Sequence, residues 1–473
     1  MVLPSPEQPP RSLPVPAPGR AAAEAFVITH LAHLVDRRAA ANQPLSSTRF
    51  RGGQRAADEA LARFRVDGYH HGMDVAYPQR DRAGSALSPW IRNGLLPLGR
   101  LWDHVADGPA ADVAAFRWSL FRLERARLRY AAGAASPTAL RPAGPVEPAR
   151  SPESGAPGLA AGWDRQMACV DVALDELADD GWLPAPPRRW LAQLCEGGSD
   201  GDLFRHLLDG ARAVTPPAWT AARAGIPVSR WQVERHAPGL CASCDLVTAC
   251  PVDHELPTLV ASSGGRSGPA GPPDTTAPPG PSPDAPGSAF DDGPLPPLAA
   301  DALGPDTPTA RAGSAPEAVW LTAESMGDAD PGLVAHPDLP ALFVFDEPLL
   351  ARLRLAPRRL VFLVEHLSDL AARRPVEVWL GSPVRVLADR AVAVTFTPVP
   401  GWHRRQARIS PVVVHPWPWL GRHLGAPGTA RRTANAIDVM KTGGSQFPHR
   451  RPIDEREPSA TESSTGRNIG ALV

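Results

Sequence analysis

Lysine and asparagine are almost missing from this 473-residue chain. Of its 49 basic side chains all but Lys441 are arginines, and the only asparagines are Asn42, Asn93, Asn435 and Asn468. A phosphate-binding GxxxxGK[ST] loop needs its lysine, and so does Schiff-base chemistry, so neither can be built in the part of the chain that packs. Long apolar runs are also lacking. No stretch reaches the roughly 18 uninterrupted apolar residues of a membrane span, which excludes a membrane partner of that kind. Basic and acidic residues balance at 49 against 50, for a net charge of −1. No global field therefore draws the chain to nucleic acid, and a DNA surface has to be a local arginine patch. The first twenty residues, MVLPSPEQPPRSLPVPAPGR, hold prolines where an export signal holds an apolar core. The expected location is the cytoplasm, with cysteines reduced or bound to something.

Proline and glycine, at 57 and 41 residues, are what the chain has in excess, and their distribution marks its organisation. Residues 1–20 read as a disordered arm, 258–315 as a Pro/Gly-rich linker and 421–473 as a disordered tail, because such composition buries too little apolar surface to offset ordering entropy. Between them lie two folding units. Residues 21–257 hold helix-period runs at Ala21–Asp36, Ala56–Arg65, Leu98–Val105, Val113–Tyr130, Met167–Asp179, Arg188–Cys195 and Leu203–Val214. Residues 316–420 hold short strand-like runs at Ala318–Leu321, Ala341–Phe345, Val376–Leu380, Ala391–Thr397 and Val412–Val414, with a helical segment at Pro357–Ala372. The fold class expected is multidomain: a mostly α-helical domain, then a small α/β domain with a parallel sheet.

Cys241, Cys244 and Cys250 stand in PGLCASCDLVTACPVD, a C-x2-C-x5-C-P arrangement. Two thiolates two residues apart can share one ion or one edge of a cluster, and a third followed by proline is similar to iron–sulfur loops. A fourth ligand has to come from elsewhere, Cys169 or Cys195. Zinc with His236 or His254 is the rival reading, and a set of unligated loop cysteines is the third.

The stretch FRGGQRAADEALARF…AYPQRDRAGSALSPWIRNGLLPLGRLW carries Gly52-Gly53, then Ser85, Leu87, Ser88 and Pro89, then Gly94-Leu95 onward to Arg100. It resembles the flavin-binding domain of the photolyase/cryptochrome family. FRWSLFRLERARLRY, CVDVALDELADDGWLPAPPRRWLAQL and FRHLLDGARAVTPPAW follow in the family's order. The resemblance implies FAD held by Tyr77, Ser85, Leu87, Ser88 and an Arg188–Asp209 pair, with Trp219 relaying electrons to it. It implies that Glu124 touches a flipped base while Arg122, Arg125 and Arg189 hold DNA phosphates. The iron–sulfur bacterial branch of the family has a CVxxxL helix start and a CxxC…CP loop. On that resemblance Cys169, Cys241, Cys244 and Cys250 bind a 4Fe–4S cluster. The chain departs from the pattern at Ala211, Thr215 and Pro184-Ala185, where the family has polar flavin contacts.

Val319-Trp320, Asp330-Pro331, Phe345-Asp346, Arg359–Leu363 and Gly381-Ser382-Pro383 resemble the family's α/β antenna domain, which normally comes first. Its strand-loop arginine is lost at Ser325-Met326, so no antenna chromophore is assigned. The function implied is flavin-dependent, light-driven electron transfer in DNA photolesion repair, as a deoxyribodipyrimidine photolyase, or in blue-light sensing. The alternative is a degenerate, non-catalytic member whose cluster is structural and which binds DNA or a protein partner.

Overall fold

The computed structural model describes residues 9–36, 43–131, 167–194, 206–210, 230–248, 250 and 303–424. Their strands are β1 (Arg11–Leu13), β2 (Thr309–Ala310), β3 (Ala318–Leu321), β4 (Ala341–Asp346), β5 (Val376–Gly381), β6 (Val392–Thr395) and β7 (Val413–His415). They form one sheet in the order β1-β5-β4-β3-β6-β7-β2. The five central strands run parallel. β3 and β6 are buried along their whole length, as strands covered on both faces are, and so read as unbroken apolar runs. The helix Pro357–Ala371 makes the crossover from β4 to β5, starting on a proline whose missing N–H costs nothing at that position.

Two expectations are corrected here. The sheet is mixed, because β1 and β2 pair antiparallel at its two sides. Both strands come from stretches expected to lack structure, the N-terminal arm and the linker. β1 is held by pairing of Arg11–Leu13 with Val378–Leu380 and by burial of Leu13. Local composition misses this because the stabilising partner lies far along the chain.

The expected helix over Ala21–Asp36 is shorter and divided. α1 (Arg20–Phe26) passes into a π-helical turn at Val27–Leu31 and a 3-10 turn at Ala32–Leu34. The consecutive β-branched residues Val27, Ile28 and Thr29 crowd a regular α-turn. This segment packs on the helix Pro357–Ala371, and Asp36 N–H donates to Leu355 O at 2.9 Å. Residues 20–36 thus pack on the α/β layer, while Arg20 donates to Phe50 O and Glu24 accepts from Ser46 Oγ.

The helical part includes α2 (Gln54–Arg63), α3 (Ser88–Arg92), α4 (Leu98–His104), α5 (Ala110–Ala131), α6 (Ala168–Asp180), α7 (Ala185–Leu194) and α8 (Arg230–His236). The helix Pro357–Ala371 is α9 and Leu420–His423 is α10. Of the expected helix Leu203–Val214, residues 207–210 form a turn, and most of the remainder lies outside the described residues. The helical and α/β parts belong to one compact unit. Their seam is built on the Gly52-Gly53 turn. The N–H groups of Gly52, Gly53 and Gln54 donate to Glu365 Oε2, His366 Nδ1 and Asp369 Oδ2 of α9 at 2.7, 2.9 and 2.7 Å. Three side chains of one helix thus cap the open start of another. Gly53 has φ +106°, a left-handed-side conformation suited to glycine, and a methyl there would meet the Asp369 side chain. His366 is buried, which pushes its pKa down to about 3 and keeps Nδ1 an acceptor.

Candidate functional site

Four cysteines from two distant stretches line one small pocket, together with Met167, Arg230, Val233 and Val247. Cys169 stands in the first turn of α6 and is buried. Cys241 and Cys244 belong to the tight turns that follow α8, where Cys244 N–H donates to Cys241 O at 3.2 Å, and Cys250 follows in the same loop. The turn is shaped by Glu234, whose carboxylate accepts the N–H groups of Gly239 and Cys241 at 2.9 Å each. At the α6 start, Ala168 N–H donates to Cys244 Sγ at 3.4 Å, so the helix end and the loop meet at the sulfurs. The four thiols are free, not paired in disulfides.

Burial, then the neighbouring Cys241, pushes the Cys169 thiol up to about 12. Burial and then Glu234 push Cys241 to about 12 as well. Thiols placed this way resist ionising because each thiolate is poorly solvated and repels the next. A cationic centre between them reverses that balance, since metal binding releases the protons. Among the described residues no group of three or more His, Cys, Asp or Glu is arranged to hold a metal ion. The thiols instead surround a common space. Zinc would draw four sulfurs to about 2.3 Å from one point, whereas an iron–sulfur cluster keeps its cysteines apart around its edges. His236, the zinc alternative, has Nδ1 2.9 Å from Asp74 O and is not among the residues lining the pocket. Cys195 and His254 lie outside the described residues.

Of the implied flavin contacts, the structure brings Ser88, Arg188 and Asp209 together. Arg188 pairs with Asp209 through Nη1–Oδ1 at 3.1 Å and Nη2–Oδ2 at 2.6 Å. Its Nε donates to Leu183 O at 2.7 Å. Ser88 Oγ donates to Asp209 Oδ2 at 2.6 Å and accepts from Trp182 Nε1 at 2.8 Å. Local chain geometry explains the meeting. Gly181 ends α6 with φ +65°, and its carbonyl accepts Leu208 N–H at 2.8 Å, which brings the Asp209 turn beside the Trp182–Arg188 segment. The prolines at 184, 186 and 187 fall at the start of α7, where they are tolerated. Ser85 Oγ accepts Leu87 N–H at 3.4 Å, and Leu87 is buried. Tyr77 is exposed, with its N–H donating to His236 O at 3.3 Å.

Beside this network lies an open cavity of about 400 Å³, within the range of ordinary ligand pockets. Arg49, Arg80, Arg82, Asp180 and Trp182 line it, along with Gly84, next to Ser85. None of Tyr77, Ser85, Leu87, Ser88, Arg188 and Asp209 lines it, and Trp182 is the wall shared with the buried network. Arg49 lies 5.4 Å over the Trp182 ring. Arg82 is fixed by a two-point pair with Glu176 of α6, 2.5 and 2.8 Å long. Sequence reasoning missed Arg49, Arg82 and Trp182. The DGW in DDGWLPAPPRRW was the available signal, because a tryptophan next to a helix-ending glycine is placed by that turn.

Glu124 is not where the resemblance put it. Its carboxylate is 1% exposed, and both oxygens are taken by the backbone of α10: Leu420 N–H donates at 2.6 Å and Gly421 N–H at 3.2 Å. Burial pushes its pKa up to about 6 against the pull of those N–H groups and Arg127. A carboxylate enclosed like this cannot meet a flipped base, so the expected lesion contact is corrected to a clasp between α5 and the C-terminal part of the α/β layer. Trp219, Ala211 and Thr215 lie outside the described residues, as does the side chain of Arg189.

No family model matches the chain, and no curated protein or solved structure is significantly similar to it. No helix among the described residues is long and apolar enough to cross a membrane.

Proposed function

We propose that this chain is an iron–sulfur electron-transfer protein of photolyase/cryptochrome type. It holds a 4Fe–4S cluster on Cys169, Cys241, Cys244 and Cys250 and binds FAD next to Trp182. The observation that carries the reading is the convergence of Cys169 with the three loop cysteines in one apolar pocket, across a long sequence separation. A bound cluster supplies one-electron chemistry. The chain's own residues prepare for it: α6 and the α8 loop fix the four sulfurs, Glu234 shapes the turn that presents Cys241, and Met167, Val233 and Val247 limit water. At the second site Arg49 and Arg80 offer cations beside an aromatic wall, which suits the phosphates and ring of a nucleotide. The Arg188–Asp209–Ser88 network holds that wall in place.

The burial of Glu124 favours light-driven electron transfer or blue-light sensing over base-contacting DNA repair. The second reading, a structural cluster in a protein that binds DNA or a protein partner, is favoured by Ser88. Its hydroxyl is bound to Asp209 and so is not offered to a diphosphate. Absorption spectra of anaerobically purified protein, with iron and sulfide analysis, separate the two. Blue flavin bands with a broad brown shoulder and four irons per chain support the first. A shoulder without flavin leaves the second, and colourless, iron-free protein overturns both.

A further inference from the structure

Helix α8 sets two opposite charges one turn apart at the cysteine pocket. Arg230 lines the pocket, and its Nη1 donates to Val247 O at 3.3 Å, holding the loop between Cys244 and Cys250. Of the residues lining the pocket, Arg230 alone carries a permanent positive charge. Glu234, four residues on, is fixed by the Gly239 and Cys241 amides. The remaining walls, Met167, Val233 and Val247, are apolar, so the Arg230 charge is weakly screened there.

We propose that Arg230 and Glu234 set the reduction potential of the centre held by the four cysteines, Arg230 raising it and Glu234 lowering it. This rests on the iron–sulfur reading above. Four thiolates around a 2+ core carry a net charge of −2, and accepting one electron makes it −3, with no bond or proton moved. The electron comes from a one-electron donor, dithionite in the test below. A fixed cation stabilises the more anionic reduced state, and a fixed anion destabilises it. Net charge and surrounding dipoles are among the factors that set such potentials.

The test is a redox titration of the full-length, anaerobically purified protein with dithionite. It is followed by bleaching of the visible absorbance and by the paramagnetic signal of the reduced state, with iron counted in every sample. At fixed potential, Arg230→Gln should lower the reduced-to-oxidised ratio about tenfold, a shift of about 59 mV for one electron. Glu234→Gln should move it the other way, by less, because its carboxylate is nearer to solvent. Arg230→Lys keeps the charge and should stay within about threefold of the parent. Opposite shifts at four irons per chain support the proposal, since a merely structural role would not give them opposite signs. Shifts of the same sign, no shift, or an Arg230→Lys shift as large as that of Arg230→Gln would overturn it. Iron-free parent protein would instead sink the iron–sulfur reading, and the proposal with it.

Discussion

Arg188 and Asp209 form a two-point ion pair whose side chains are 3% and 0% exposed. Asp209 also accepts from Ser88, so one carboxylate organises three chain segments. Removing one partner of a buried pair leaves an uncompensated charge, at about 3–5 kcal/mol. Asp209→Asn should destabilise the protein by that order in urea unfolding, and Ser88→Ala by about 1–2 kcal/mol. A loss below about 1 kcal/mol for Asp209→Asn would mean that the pair is solvated in solution.

Cys169 is the proposed ligand farthest in sequence from the others, so it discriminates best between bound and unbound readings. Cys169→Ala should lose most of the iron and the brown absorbance while the other three thiols remain. Retention of the parent's iron content would remove Cys169 from the ligand set. Treating the parent with a chelator should lower its unfolding temperature, because metal binding to the folded state is folding free energy.

The Gly53 turn predicts a packing defect at the seam with α9. Gly53→Ala puts a side chain at φ +106° against Asp369, where strain costs about 1–3 kcal/mol. The effect should appear as a lower denaturant midpoint, with iron content unchanged. A neutral result would show that the turn relaxes.

Glu124 gives a pH dependence with a definite sign. Its folded-state pKa of about 6 lies above its ordinary value of 4.5. The folded protein therefore binds this proton more tightly than the unfolded chain does. That stabilisation is full below pH 4.5 and is lost as pH rises through about 6, amounting to about 2 kcal/mol at 1.36 kcal/mol per unit. Stability of Glu124→Gln, measured against the parent across this window, should gain by about that amount as pH rises. A parallel pair of curves would refute the assignment.

Much of the α/β layer was legible, because its elements carry their own period. Ala318–Leu321 and Ala341–Phe345 are continuous apolar runs, and Pro357–Ala371 has a proline start and a helical stripe. At the candidate sites, motif order brought out the right residues for the Arg188–Asp209 pair and for the cysteines that share a pocket. It could not show what covers a side chain. Glu124 lies in a regular helix whose periodicity is silent about Leu420 and Gly421, some 300 residues on. Gly52-Gly53 read as a turn, and only α9, equally remote, explains why glycine is needed there.

β1 has a consequence for how the chain is made. Arg11–Leu13 leave the ribosome more than 300 residues ahead of their partners Val378–Leu380. At roughly 5–20 residues per second, the strand waits on the order of half a minute for its neighbour. During that interval α1, whose packing partner α9 is also late, has no surface to cover its apolar side. Expressing the earlier residues without the later strands and α9 would leave β1 and α1 without partners.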